Sequence, residues 1–305
     1  MTKAKADLHV HSDISHEGGP EAKKIIDKAL EIGLKAIAIT DHDAIPNLED
    51  LVEYRKEKDI EIIPAIEISA RLPINKKDMH VHILGYHIDS QNVNLLSSTK
   101  KIKEAKKIQC KEIIEKMNEK YPQYDINFNE ILEKYGGISR MLVAMEMEKK
   151  GYIKDYHDAF KGYFGLDNMP CYVPMKHELH IQEAIQLIND ARGIPILAHP
   201  PTLKNAYKKM FKTNDPGYDE VLPLLIDYGI RGLEMANAGT ERELKNYDFL
   251  ELWAFIEDYG LLVTGGSDAH ELDEIGREVI PYRYVAALNK EKKRIDSTKY
   301  KLEKN

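Results

Sequence analysis

The sequence predicts an α/β protein, a distorted (βα)7 barrel interrupted by a helical insertion, and three observations lead there. Apolar runs of strand length recur seven times, and each closes on polar residues. Amphipathic helical patterns that end in glycine lie between several of them. The stretch 90–175 then breaks the alternation altogether.

Strands are expected at 6–11, 34–40, 60–68, 79–86, 194–199, 230–235 and 261–265. Over 20–32, Ala22, Ile25, Ile26, Ala29 and Leu30 fall at the i, i+3, i+4, i+7, i+8 spacing of one helical face. Pro20 suits a first helical turn and Gly33 a C-terminal cap. The stretches 182–192, 219–228 and 241–259 repeat that grammar before Gly193, Gly229 and Gly260. One link is too short for it. Only 69–78 separates the third strand from the fourth, which leaves no room for a helical crossover between parallel strands. A hairpin-like turn is expected there. A fourth strand running antiparallel would bring His80 and His82 to the mouth where the third strand delivers Glu67. The barrel is thus assigned to 1–89 and 176–288. A helical insertion over 90–175, opened by a charged helix at 97–119, caps its mouth, and 289–305 is a charged C-terminal tail or terminal helix.

Composition narrows the functional classes. The chain has 305 residues, enough for one barrel-sized domain or two ordinary ones, and 43% apolar against 31% charged residues can bury a real core. A net charge of −7 argues against a wide basic face for duplex nucleic acid. It leaves room for small anionic substrates, because bound divalent cations reverse the local field. No leader-like apolar segment opens the chain and no run of about 18 apolar residues occurs, so a cytoplasmic enzyme without a membrane partner is expected. Cys110 and Cys171 fit no CxxC pattern, which speaks against a disulfide framework or a thiolate zinc site.

The chemistry sits at the strand ends. In Asp7-Leu8-His9-Val10-His11 the two histidines share a strand face, roughly 6–7 Å apart, and can converge on one cation. Thr40-Asp41-His42-Asp43 ends the second strand. Glu67 lies inside the apolar run Ala65-Ile66-Glu67-Ile68, where a lone ionised carboxylate is costly unless paired or metal-bound. His82 is flanked by Val81 and Ile83, His199 ends a strand stopped by Pro200 and Pro201, and Ser267-Asp268-Ala269-His270 follows the last strand. Seven of the twelve histidines fall at strand ends or in the loops just after them, an alignment that scattered structural histidines would not produce.

Taken in order, DLHVHSDIS, ITDHD, PAIEIS, VHILGY, ILAHP and TGGSDAH resemble the motifs of the polymerase-and-histidinol-phosphatase (PHP) metallophosphoesterases, from about residue 6 to residue 276. GLEMAN (232–237) and YVP (172–174) look like further landmarks of that family. The resemblance is nearest to stand-alone members that hydrolyse nucleotides, including 3′,5′-bisphosphonucleoside phosphatases and enzymes that trim RNA from its 5′ end. It implies a TIM-like barrel and three metal positions. His9, His11, Glu67 and Asp268 would hold the first, with Glu67 bridging to a second held by His82 and His199. His42, His270 and a residue in the loop after His11 would hold the third. His16 stands where many such members carry Asp, and Glu17 is the alternative ligand.

Other assignments stay open between two readings. Relatives often carry Arg-Pro-His in the insertion. Ser139-Arg140-Met141-Leu142 keeps the arginine and loses the histidine, so Arg140 is either a phosphate clamp or a surface arginine. Arg242 and Arg277 are further candidates for substrate binding. Asp41 and Asp43 either orient the ligand between them or are solvated in a loop, and His80 shares a strand face with His82.

Mixed His/carboxylate sets suit two or three Mn, Fe or Zn ions better than Mg or Ca. The expected reaction is hydrolysis of a small phosphorylated substrate, a nucleotide or the end of a short oligonucleotide, by attack of a metal-bridging hydroxide. Glu67, Asp268 and His270 are the catalytic candidates, yet all three are also ligands in this scheme. No proton donor for the leaving group stands out, and a metal-bound water is as good a choice as His270 or Asp268. Two rivals remain. One is a histidinol-phosphate-type phosphomonoesterase, and the other is a non-catalytic metal-binding domain, against which the intact ligand set argues. Serine or cysteine nucleophile chemistry has no support, for want of a GxSxG elbow or a cysteine near a strand end.

Overall fold

The computed structural model describes residues 4–302 apart from 17, 57, 166, 167, 216 and 238–245, with backbone alone at 237, 246–248 and 299–302. The chain begins in β1 (Lys5–Val10), passes a 3-10 turn at Asp13–Ser15 and enters α1 (Ala22–Glu31). That helix buries Ile25, Ile26 and Ala29, and Gly33 follows it at φ +78°. β2 (Ala36–Ile39), α2 (Leu48–Tyr54) and β3 (Glu61–Ile74) follow. Asn47 opens α2 by accepting the Asp50 N–H, a start signal between two loops that the periodicity of so short a helix does not announce.

β3 departs from expectation in length. It runs on past Ile68 to Ile74, turns through Asn75 and Lys76, both at positive φ (47° and 64°), and returns as β4 (Lys77–Tyr86). Two residues at positive φ make the tight hairpin whose twist matches the strands on either side. The pattern behind the longer strand is the alternation of buried Ala70, Leu72 and Ile74 with half-buried or exposed Ser69, Arg71 and Pro73. β4 pairs antiparallel with β3, setting Glu67 opposite Leu84 and Ser69 opposite His82.

The insertion is helical: α3 (Val93–Lys120), α4 (Phe128–Tyr135), α5 (Arg140–Lys149) and α6 (His157–Gly162). These helices share their own apolar cluster, which joins Cys110, Ile113 and Met117 to Ile131, Leu142, Met147, Phe164 and Cys171. Both cysteines are therefore buried free thiols. The chain then supplies β5 (Leu179–His180), α7 (Ile181–Asp190), β6 (Ile194–Leu197), α8 (Pro200–Phe211), α9 (Tyr218–Asp227) and β7 (Gly232–Asn237). α10 (Asn246–Tyr259), β8 (Leu262–Gly266), β9 (Ile280–Pro281) and α11 (Tyr282–Leu302) complete it. Pro200 and Pro201 stop the strand at Leu197 as expected, and they also open α8, where their missing N–H groups cost nothing.

The sheet order is β8-β7-β6-β4-β3-β2-β1-β9, with β5 added to β3. β1, β2 and β3 pair in parallel, β4 runs against both β3 and β6, and β6, β7 and β8 are parallel again. The chain just after β8 comes back against β1, near the other end of that path. Asp268 donates its N–H to His9 O at 2.8 Å, and His11 donates its N–H to Ala269 O at 2.9 Å. Gly266 permits the approach, because a Cβ there would collide with the His9 nitrogen and the Asp7 carboxylate. The result is a nearly closed, distorted TIM-like barrel.

Of the two expectations for the charged C-terminal stretch, the terminal helix holds as far as Leu302. α11 begins at Tyr282, buries Val285 and Leu288, and bonds to residues at the start of the strands. Asn289 donates to Glu61 Oε1 at 2.9 Å, Lys292 to Arg192 O at 2.8 Å, and Arg231 pairs with Glu291 at 2.8 Å. It covers the barrel end opposite the mouth. Among the described residues no helix is long and apolar enough to cross a membrane.

Candidate metal centre

Every strand end named by the sequence reaches one place. Glu67, wholly buried on β3, is its middle. Its Oε2 faces His9 Nε2 at 3.4 Å, His11 Nε2 at 3.4 Å and His42 Nδ1 at 2.9 Å. Its Oε1 faces His82 Nδ1 and His199 Nε2, both at 3.1 Å. Asp268, after β8, sets Oδ1 at 3.3 Å from His9 Nε2 and 3.0 Å from His11 Nε2. The imidazole of His270 stacks on that of His11, with ring centres 4.4 Å apart, and its Nδ1 lies 3.0 Å from Asp268 O. Three overlapping sets have donor atoms all within 4.8 Å of one another: His9, His11 and Glu67; His42, Glu67 and His82; and His11, His42 and His270.

The antiparallel hairpin is what places His82 here. It enters from the strand opposite Ser69, two residues beyond Glu67. The neighbouring His80 is mostly exposed, 3.9 Å from Glu178, and takes no part.

The donor set fits transition metals. His9 Nε2, His11 Nδ1 and Glu67 Oε2 are buried without a hydrogen-bond partner, although buried polar atoms nearly always have one. Several imidazole nitrogens around a carboxylate are the ligands of Zn, Mn or Fe. The charge balance is of the same kind. Burial pushes Glu67 up, but His42, His9, His82 and the bond to His199 outweigh it and hold the carboxyl well below its usual range. Asp268 is likewise held well below by His9 and His11 despite burial. Burial, with His42 beside it, lowers His11 to about 4, and burial also lowers His82. His9 and His199 run the other way. Burial pulls both down, but Glu234, Asp268 and Glu67 overcome it for His9, and Glu67 chiefly for His199.

Buried carboxylates that face none of these donors fix the frame. Asp7 accepts the Ser267 N–H at 2.8 Å, the Ser267 hydroxyl at 2.6 Å and the Gly276 N–H at 2.9 Å, pinning the loop that carries Asp268. Asp41 accepts from Ser12, next to His11, and Asp43 accepts the Ser69 N–H at 2.9 Å. Burial pushes Asp7 and Asp41 up to about 6, against the opposing pull of these bonds. Asp41 and Asp43 thus reach backbone and hydroxyl groups beside the histidine cluster rather than lying solvated in a loop. Sequence reading passed over Asp7 and Glu234. Glu234 is a wholly buried carboxylate in the apolar run GLEMAN, the very signal that marked Glu67.

The remaining candidates scatter. His16 belongs to none of the three donor sets. It sits in a left-handed turn (φ 57°), and its imidazole lies where a Cβ on Gly137 of the insertion would be. Glu17 and Arg242 lie outside the described residues. Arg140 opens α5, its guanidinium 5.8 Å from the centre of the Phe160 ring. Arg277 is engaged by Glu274 at 2.8 Å and Asp273 at 3.0 Å on the surface. Among the described residues the insertion meets the loops after β1 and β2 through polar contacts: the Ser139 hydroxyl donates to His16 O at 2.6 Å, and Lys106 on α3 meets Asp43 at 2.7 Å. Beside His82 and His199 a cavity of about 110 Å³ opens, walled by Val81, Leu197, Thr202 and Leu203.

Comparison with known proteins agrees with this architecture. A family model described as PHP domain matches residues 7–170, and another described as PHP-associated matches residues 251–281. The chain is 28% identical over 276 residues to the 5′-3′ exoribonuclease of Haemophilus influenzae, covering 88% of this chain and 91% of that one. It is 25% identical over 290 residues to the 3′,5′-nucleoside bisphosphate phosphatase of Chromobacterium violaceum, covering 90% of each. A phosphoribosyl 1,2-cyclic phosphate 1,2-diphosphodiesterase of Eggerthella lenta is 25% identical over 277 residues, 87% of this chain and 93% of its own. Among solved structures, a Bifidobacterium adolescentis protein classed provisionally as a metal-dependent phosphoesterase superposes with a TM-score of 0.76 at 22% identity, over 94% and 96% of the two chains. A Chromobacterium violaceum protein described as an amidohydrolase, with bound sulfate and no metal, gives a TM-score of 0.70 at 22% identity over 90% and 91%.

Proposed function

The chain belongs to the PHP domain family, and from that premise we propose that it is a metal-dependent phosphoesterase hydrolysing small nucleotide-type phosphate esters. One observation carries the reading: Glu67, wholly buried, is met on one oxygen by His82 and His199 and on the other by His9, His11 and His42. A carboxylate so placed would serve two cation positions. His9, His11, Glu67 and Asp268 would hold one ion, and Glu67, His82 and His199 a second. His42 and His270 would contribute to a third, with His16 as the proposed further ligand. Two or three Mn, Fe or Zn ions suit these donors. Such ions supply a water acidic enough to act near neutral pH, and they offset the charge of the phosphate.

The chain's own groups do the rest. Glu67 and Asp268 stay ionised, and the carboxylate clamps keep the histidine-bearing loops in register, so little has to reorganise on binding. The insertion, fastened through Ser139 and Lys106, closes one side of the mouth and admits a mononucleotide or a short oligonucleotide end. The cavity beside His82 and His199 gives the non-phosphate part of the substrate an apolar wall. The net charge of −7 leaves long nucleic acid little basic surface. The names of the three curated relatives, a ribonuclease, a phosphatase and a phosphodiesterase, support phosphate-ester hydrolysis.

The test is phosphate release with Mn²⁺ from nucleoside 3′,5′-bisphosphates, mononucleotides, a short 5′-phosphorylated oligonucleotide and histidinol phosphate, with and without chelator. Chelator-sensitive turnover of the nucleotides is expected. Preference for histidinol phosphate would overturn the substrate class, and chelator-resistant turnover the metal centre.

A further inference from the structure

We infer that Glu234 is a positioning residue of this centre: a single carboxylate that fixes the tautomer of His9 and the backbone carrying His199, and so ties together the donors on the two sides of Glu67. The inference rests on reading the cluster as a metal centre. Glu234 lies on β7, wholly buried, and its two oxygens perform different tasks.

Oε1 is 2.8 Å from His9 Nδ1. A carboxylate only accepts, so the proton between them belongs on Nδ1. His9 Nε2 faces Glu67 Oε2 (3.4 Å) and Asp268 Oδ1 (3.3 Å), a place where only positive charge is stable, a second ring proton or a metal ion. With Nδ1 holding the proton shared with Glu234, a bound ion would take the place of the Nε2 proton and meet the lone pair of that nitrogen.

Oε2 accepts the His199 N–H at 2.7 Å. His199 sits at φ 28°, ψ 67°, between the end of β6 and the first turn of α8. That conformation is one a residue with a Cβ seldom adopts, and it persists only where its surroundings enforce it. It turns the imidazole towards Glu67 Oε1 at 3.1 Å and His82 Nδ1 at 3.3 Å. The same carboxyl group thus governs a donor on β1 and another after β6.

Glu234→Gln isolates this role, since it conserves shape but leaves one acceptor oxygen for two N–H donors. The full-length protein is stripped of metal, and native and E234Q forms are titrated with Zn²⁺ alone while both are folded by circular dichroism. E234Q is expected to bind about 10–100-fold more weakly, with more than one equivalent affected. Unchanged affinity overturns the inference, and weakening confined to one equivalent overturns the claim that both sides are served. Imidazole ¹⁵N shifts of the zinc-loaded native protein provide the second measurement, which needs no variant. His9 protonated at Nδ1 supports the assignment, and His9 protonated at Nε2 refutes it. Neither measurement uses substrate, so a protein inactive on phosphate esters would overturn the proposed activity and leave this inference standing.

Discussion

Asp41 accepts both the backbone N–H and the hydroxyl of Ser12, each at 2.6 Å, so that the residue before His42 holds the residue after His11. Asp7 makes the same pair of bonds to Ser267, the residue before Asp268. The histidine-bearing loops are therefore latched to one another by carboxylates that stay behind them.

Asp41→Asn should unlatch the first of these. The amide keeps one acceptor and turns N–H donors towards the donors of Ser12, leaving a buried group unsatisfied at a cost of about 1–3 kcal/mol. Calorimetry should show a melting temperature lower by several degrees, and metal titration a weaker site at His11 and His42. Ser12→Ala keeps the backbone bond to Asp41 and loses the hydroxyl bond together with the longer Ile14 N–H contact at 3.4 Å, and should do less. An Asp41→Asn protein with native melting and native metal affinity would show that the latch is idle.

His16 separates two descriptions of the third metal position. Family resemblance assigns it there, whereas the donors within 4.8 Å of His42 and His270 are those of His11. If His16 completes the position, His16→Ala should lose about one equivalent of metal and keep the rest, because neither Glu67 nor Asp268 is touched. Elemental analysis after dialysis decides it. Unaltered stoichiometry would leave the third position to His11, His42 and His270.

The legible parts of this protein are those where a residue type conflicts with its surroundings. Glu67 inside an apolar run, histidines at strand ends and Gly33 after a helical stripe all announce themselves, since each is costly without its structural reason. The continuation of β3 past Ser69 was not legible as a strand. A serine two residues after a carboxylate reads as a strand end, and only pairing with β4 shows that the alternation resumes. The clamps were invisible for another reason. Asp7 and Ser267 lie 260 residues apart, and nothing local in either distinguishes a latch from a loop. The placement of His16 against Gly137 depends on how the insertion docks, which periodicity does not encode.

That docking can be probed at Lys106. Its ammonium, partly exposed on α3, meets the nearly buried Asp43 at 2.7 Å, beside His42. Lys106→Met keeps the apolar stem and deletes the charge, leaving the Asp43 carboxylate, among the described residues, with the Ser69 N–H. Solvent access to Lys106 limits the loss to about 1–2 kcal/mol. Amide exchange should quicken in the first half of α3 and in the loop around Asp43, and Lys106→Arg should reverse it. Identical exchange in Lys106→Met and native protein would mean that the insertion is held elsewhere.

Arg140 is the sharpest test of what the insertion does. It is the first residue of α5, whose N-cap Ser139 accepts the Leu142 N–H and also donates its hydroxyl proton to His16 O. The start of α5 is therefore fixed against the loop that follows β1, at the edge of the mouth. A ten-residue helix presents a partial positive charge at that end, and an arginine there adds to it rather than offsetting it. Such a placement is unfavourable for the helix and favourable for an anion. The guanidinium lies over Phe160, 5.8 Å from the ring centre, and as a phosphate clamp it would turn its N–H groups to phosphate oxygens. Arg140→Ala should lower kcat/KM by roughly 10–100-fold, about 1.5–3 kcal/mol for a charge-assisted contact, without loss of metal. Arg140→Lys should recover part of it, since a point charge cannot make the paired contacts of the fork. A purely structural arginine would show the opposite pattern, with a lower melting temperature and kinetics unchanged.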